Sequence, residues 1–264
     1  MKAEIVFLGS GTSMGVPTLG CRCPVCTSND PRNRRTRPSI ALLWENGGAR
    51  RTVIIDTGPD FREQALREDI RHVDAVFYTH AHADHILGMD DLRPLSFHHK
   101  PGTLPLYADA ITSTILRRIF DYTFSPMSTY PTRARVDLRS LDGEETAEVQ
   151  GVRLQRVPLL HGDLPVAGFR FGNAAYLTDM STIPETSLPL LEGLDVLILD
   201  ALRPQPHPSH ANLAEALTWV ERVQPRRAWF THMSHEVDHV ATEATFPPHV
   251  RLSYDGLRIP IEIG

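Results

Sequence analysis

The sequence predicts an α/β protein in which two β-sheets pack face to face beneath flanking helices, as one domain over residues 1–264. Short, β-branched apolar runs recur in both halves of the chain, most of them closed by turn-forming or charged residues. Segments with helical spacing lie between these runs. No internal repeat or low-complexity linker interrupts the 264 residues, which suffice for a full core. Two strand-rich halves of this kind can bury one another's apolar faces.

In chain order, strands are expected at 3–8, 40–44 and 52–55, where the runs are rich in Ile, Val and Leu. A helix is expected at 61–68, started by Pro59-Asp60. Strands follow at 73–78 and 104–107, then a helix at 111–120 with Ile111, Ile115 and Ile119 at helical spacing. Strands at 152–157, 166–171, 174–177 and 196–199 make the second half strand-rich. A helix at 212–223 carries Leu213, Ala216, Leu217 and Val220 on one face and is stopped by Pro225. A strand at 228–230, a helix at 236–241 and a strand at 257–261 complete the chain. The prolines between 204 and 208 and at 247–248 read as loops.

Composition excludes several classes. Apolar residues make up 41% and charged residues 22%, the balance of a water-soluble globular chain. A net charge of −5 and the lack of a basic stripe speak against a nucleic-acid partner, and the short basic stretch Arg32 to Arg37 reads as a solvated loop. No apolar stretch reaches membrane-spanning length, and the run from Ile5 to Leu8 is too short for a signal peptide, so a cytoplasmic location without a membrane partner is expected.

The chemistry is concentrated in Tyr78-Thr79-His80-Ala81-His82-Ala83-Asp84-His85. Imidazole nitrogens and a carboxylate are ligands for a borderline divalent metal. Residues this close must converge on one or two ions. The cluster follows the apolar run 73–77, which places it on a loop at a strand end, where α/β proteins hold their sites. The same arrangement recurs three times: His161 after 157–160, Asp179 after 175–178 and His232 after 228–231. Asp56 ends another buried strand and reads either as a hydrogen-bond acceptor for a ligating histidine or as an ordinary strand-end carboxylate. All three cysteines, Cys21, Cys23 and Cys26, lie in one short segment, which fits a metal site better than a disulfide framework. The glycine-rich stretch Gly9 to Gly15 reads either as a phosphate-approaching loop or as a strand-to-loop turn. Arg203 has only its neighbourhood to mark it for a substrate phosphate.

This ordered set resembles the metallo-β-lactamase superfamily of binuclear hydrolases over essentially the whole chain. The resemblance implies an αββα four-layer sandwich with the site along one edge of two mixed sheets. It implies that His80, His82 and His161 bind one metal, that Asp84, His85 and His232 bind a second, and that Asp179 bridges them. The ions would then sit roughly 3.5–4 Å apart and lower the pKa of a shared water, so that a bridging hydroxide exists at neutral pH. Zinc, manganese, iron and nickel all suit these ligands. The cysteine segment is similar to that of the PhnP-type cyclic phosphate phosphodiesterases, in which a histidine three positions after the last active-site histidine closes a structural zinc site. That position is His235, with His239 as an alternative. The same resemblance makes His210 the candidate general acid and, with Asp84, a candidate catalytic residue. The implied function is metal-dependent hydrolysis of a small cyclic phosphate diester, with a homodimer as the family-level expectation. A tRNA 3′-end endonuclease-like activity, a PqqB-like role in cofactor biosynthesis and a zinc-binding protein without turnover stand as alternatives.

Overall fold

The computed structural model describes residues 1–100, 102–142 and 146–263. The first sheet joins β1 (Lys2–Gly9), β2 (Ser39–Asn46), β3 (Ala49–Ile55), β4 (Ala75–Phe77), β5 (Leu104–Ala108) and β6 (Val136–Ser140). The second runs through β7 (Thr146–Val149), β8 (Val152–His161), β9 (Leu164–Phe171), β10 (Ala174–Leu177), β11 (Val196–Asp200), β12 (Arg227–Thr231) and β13 (Val250–Leu252). The last strand, β14 (Arg258–Glu262), returns to the first sheet and pairs antiparallel with β1, so each sheet has seven strands.

Strand alternation explains the layers. Along β2, Ile40, Leu42 and Trp44 point between the sheets, while Ala41 and Leu43 point outward to the helices. Along β11, Val196 and Ile198 face inward and Leu197 and Leu199 face outward. With both faces covered, these strands read as continuous apolar runs. Phe77 of the first sheet meets Phe169 of the second edge-to-face at 5.3 Å, joining the two across the central layer. The outer face of the first sheet is covered by α1 (Phe61–Arg67), α2 (Ala83–Ile86), α3 (Arg93–Phe97), α4 (Ala110–Ile119) and α5 (Asp121–Phe124). The outer face of the second packs against α6 (Leu213–Val223) and the flanking segments, with α7 (His239–Glu243) beside β13. The result is the four-layer αββα sandwich.

Some local expectations shift. In α4 the buried residues are Thr112 and Leu116, followed by Phe120; of the expected stripe Ile111, Ile115 and Ile119, only Ile115 packs against the core, whereas Ile111 and Ile119 are exposed. The helix expected at 236–241 starts at His239, because Asp238 caps it by accepting from the Ala241 N–H at 2.9 Å. Strands β6, β7 and β13 are additional. The first has only half-buried or exposed positions, and the third is three residues long, so neither carries a strong apolar pattern. In α6, Asn212 forms a capping box with Glu215. Among the described residues no helix is long and apolar enough to cross a membrane.

Candidate active site

Parallel pairing assembles the site. Strands β3 and β4 run parallel, as do β10, β11 and β12, and β8 reaches the same direction through two antiparallel pairings. Their carboxyl ends therefore share one edge of the sandwich. That edge carries Asp56 after β3, the histidine motif after β4, His161 ending β8, Asp179 after β10, Asp200 ending β11 and His232 after β12. Asp56, Asp179 and His232 adopt the left-handed backbone conformation, with φ of 66°, 51° and 61°. Such turns re-aim a side chain at a strand end and persist only where the surroundings enforce them.

Helix α2 begins inside the motif, directly after His82, and carries Asp84 and His85 into the protein. It sits hard against the loop after β3. The Thr57 N–H donates to the His85 carbonyl and the Gly88 N–H to the Thr57 carbonyl, both at 2.8 Å. Gly58 is required there, since a Cβ would lie 2.0 Å from the Asp84 carbonyl oxygen.

Seven side chains form two groups that share Asp179. His80, His82, His161 and Asp179 offer one set of donor atoms, and Asp84, His85, Asp179 and His232 the other, each set lying within 4.8 Å. His80 Nε2 is 2.9 Å from His82 Nδ1. His85 Nε2 lies 3.1 Å from Asp179 Oδ2, and His232 Nε2 lies 3.2 Å from Asp179 Oδ1. His82 is exposed while the other six are buried, so the pair of groups opens to solvent on the His82 side.

Outer partners orient these rings. Asp56 Oδ2 is 2.7 Å from His85 Nδ1, and the same carboxylate accepts the Thr79 N–H and hydroxyl, each at 2.8 Å. His161 Nδ1 donates to the Ser209 carbonyl at 2.7 Å. Both contacts leave Nε2 as the lone-pair donor toward the centre. Asp56 thus acts as the acceptor for a clustered histidine.

The donor set fits cations. Four buried carboxylates, Asp56, Asp84, Asp179 and Asp200, face histidines, and among the described residues no Arg or Lys pairs with them. Asp84 Oδ2, His85 Nε2 and His232 Nε2 are buried without a hydrogen-bond partner among the described residues. Such groups are costly unless something binds them. Burial pushes Asp179 up, but the His232 and His85 imidazoles hold it well below the usual carboxylate range. Burial also opposes protonation of His232, yet the Asp179 carboxylate raises it to about 9. A cation placed among these atoms would replace that proton.

A histidine–aspartate pair stands beside the cluster. His210 Nδ1 lies 2.7 Å from Asp200 Oδ2, which also accepts the Met180 N–H at 3.0 Å. The His210 ring packs 4.5 Å from His161 and 4.8 Å from His232. Asp200 was not singled out by the sequence. The available signal was an aspartate ending an apolar strand, the pattern that marks Asp56 and Asp179.

The cysteines form a separate group. His235 Nδ1 lies 3.1 Å from Cys21 Sγ and 3.5 Å from both Cys23 Sγ and Cys26 Sγ. Tetrahedral zinc with ordinary bond lengths sets an N···S edge of about 3.5 Å, so these four residues fit that ion. His239 is not part of this group and faces Glu243 and Tyr254. The loop that precedes the cysteines is tied to the active site, because Thr12 donates to the Met233 carbonyl and Met233 to the Ser10 carbonyl, at 3.1 and 3.0 Å. Gly9 and Gly11 press against the backbone at Arg35 to Arg37, which accounts for these glycines by packing. The basic stretch is not simply solvated. Arg35 is 1% exposed and donates to the carbonyls of Ser234 and Val237 at 3.1 and 2.8 Å. Arg203 is occupied by the Gln205 and Pro206 carbonyls and by Glu236.

This fold and this edge define a metal-dependent hydrolase. A family model described as a beta-lactamase superfamily domain matches residues 51–233, and the chain belongs to that superfamily. A crystal structure described as a new diphosphatase from the PhnP family is 45% identical, covers 100% of this chain and 98% of its own, and superposes with a TM-score of 0.92. Zinc-bound PqqB from Methylobacterium extorquens is similar in fold, at 21% identity, 97% and 99% coverage and a TM-score of 0.71. An octanoyltransferase from Porphyromonas gingivalis is 34% identical over 97% of this chain, which spans only 51% of that relative.

Proposed function

We propose that the chain is a phosphodiesterase acting on a small cyclic phosphate ester, through two divalent ions at the strand-end edge and a structural zinc at the cysteines. His80, His82 and His161 hold one ion, Asp84, His85 and His232 the other, and Asp179 lies between them. Cys21, Cys23, Cys26 and His235 hold the zinc. When bound, the paired ions supply hydroxide at neutral pH and offset charge gathering on the phosphoryl oxygens. The protein's own contributions are to fix the ligand geometry and to deliver a proton.

The observation that carries the ester reading is the Asp200–His210 pair. Asp200 holds the Nδ1 side of the ring, so Nε2 is the nitrogen left to give a proton to a departing oxygen. An alkoxide leaves phosphorus poorly without that proton. A phosphate leaving from a diphosphate departs as a stable anion and needs it less. A built acid therefore supports an ester over an anhydride. Diphosphate cleavage is the second reading, favoured by the description of the 45% identical relative. An RNA substrate finds little support in a net charge of −5. The octanoyltransferase relative extends over about twice the length of this chain, so its name lends acyl transfer no specific support here. We propose further that the protein works as one domain and as a homodimer, in the cytoplasm, without a membrane partner, and with zinc, manganese, iron or nickel in the active site.

The test is hydrolysis by the metal-loaded protein of bis(p-nitrophenyl) phosphate, sugar cyclic phosphates, cyclic nucleotides and a diphosphate, with His82→Ala as the control. Turnover of the diesters that is lost in the control supports the reading. Turnover of the diphosphate alone replaces it with the second.

A further inference from the structure

The segment from Arg203 to His210 contains a second histidine beside the proton donor. The rings of His207 and His210 lie 5.0 Å apart. From the metal-ligand side outward, the order is His161 and His232, then His210, then His207. The His210 side chain is only 11% exposed, whereas His207 is half-buried in a run of exposed residues. His207 therefore stands on the solvent side of His210.

Three features prepare this ring as a donor. Its Nδ1 faces the Ser209 N–H at 3.3 Å and the Ser209 hydroxyl at 3.4 Å. A backbone N–H can only donate, so Nδ1 carries the lone pair and the proton of the neutral ring sits on Nε2. Among the described residues nothing accepts a hydrogen bond from that Nε2. The third feature is stiffness. Pro204, Pro206 and Pro208 fix alternate φ angles around it, and the Arg203 guanidinium holds the Gln205 and Pro206 carbonyls at 3.4 and 3.1 Å. A rim donor on a braced loop loses little entropy when it binds.

We propose that His207 is a substrate-binding residue whose Nε2–H donates to an oxygen on the leaving-group side, selecting cyclic phosphodiesters in which the freed hydroxyl stays on a hydroxyl-rich, sugar-like body. The inference rests on the phosphodiesterase reading. It adds a division of labour, with His210 protonating the departing oxygen and His207 holding the remainder of the same group.

The experiment compares wild type, His207→Ala and His207→Gln on a ribose cyclic phosphate and on bis(p-nitrophenyl) phosphate, whose leaving group has no hydroxyl. The loss of kcat/KM in His207→Ala is expected to be about tenfold larger on the sugar ester, to lie in KM, and to be largely restored in His207→Gln, which keeps an N–H donor. Zinc content equal to wild type certifies the fold of each variant. Equal losses on both substrates, a loss confined to kcat, or no recovery with glutamine overturns the assignment. Wild-type protein inert toward both diesters removes the phosphodiesterase reading, and this inference with it, and that outcome is read before any variant is compared.

Discussion

Asp200 Oδ2 lies 2.7 Å from His210 Nδ1 while the same oxygen accepts the backbone N–H of Met180, the residue after Asp179, which both donor groups share. One buried carboxylate thus fixes the His210 ring, the proposed proton donor, and the turn that presents Asp179. Asp200→Asn should lower kcat by about 10²–10⁴ on an alkyl phosphodiester, the usual worth of a positioned acid. The loss should shrink as the leaving group improves toward p-nitrophenolate. A series of diesters of graded leaving-group acidity checks this, and a loss independent of the leaving group would contradict it.

Asp56 offers a different test, because it touches His85 but lies outside the donor groups. Removing a carboxylate that orients a metal-binding histidine costs about 10–100-fold in affinity. Asp56→Ala is expected to weaken binding at the Asp84–His85–His232 group by that factor, measured by competition with a chromophoric chelator. Unaltered affinity would show that Thr79 and packing alone orient His85.

The cysteine group predicts both stoichiometry and pH response. Cys23→Ser should lower bound zinc by about one ion per chain and reduce activity, since His235 joins the cysteines to the loop that carries His232. Zinc content equal to wild type would sink the structural-zinc assignment. Hydrogen bonding, led by the Cys26 N–H, pulls the Cys23 thiol down to about 6, while burial pushes Cys26 up to about 11. A thiol depressed in the folded protein adds stability above its unfolded value of about 8.5 and loses it as pH falls through the folded one. The affinity of the cysteine group for zinc should therefore fall more steeply with pH below about 6, where a proton competes for Cys23 as well, which a metal-indicator titration would follow.

Arg35→Met leaves the Val237 carbonyl without its donor, while the Ser234 carbonyl keeps the Val237 N–H at 3.3 Å. A destabilisation of about 1–3 kcal/mol is expected from one unpaired buried carbonyl, read as a lower midpoint in urea. Zinc loss should accompany it, because these residues flank His235. A variant as stable as wild type would mean that water replaces the guanidinium.

The clustering of the His and Asp donors was legible because each follows an apolar run, and parallel pairing then sends strand ends to a common edge. Asp56 was legible in the same way, although its partner, His85, was not fixed until α2 turned inward. Arg35 was hidden for the opposite reason. It lies in a basic stretch whose composition resembles a solvated loop, and its burial depends on carbonyls about 200 residues away. His207 lies among alternating prolines that marked a loop without showing that the loop lines a site. Strand β13 escaped because Val250 and Leu252 are too few to establish a period. The α4 stripe was right only at Ile115, because helical spacing identifies an amphipathic face but does not reveal how far it is rotated from the sheet.

The two groups of donors draw on both sheets. The motif at 80–85 hangs from the first, whereas His161, Asp179 and His232 hang from the second. Ions held there would stitch the halves together at their rim. Chelation should therefore loosen the seam between them before it unravels either half, and hydrogen exchange would be expected to quicken first along the strand ends that meet at that edge. Assembly and competence would then be one event, since neither half alone offers either ion its full set of partners.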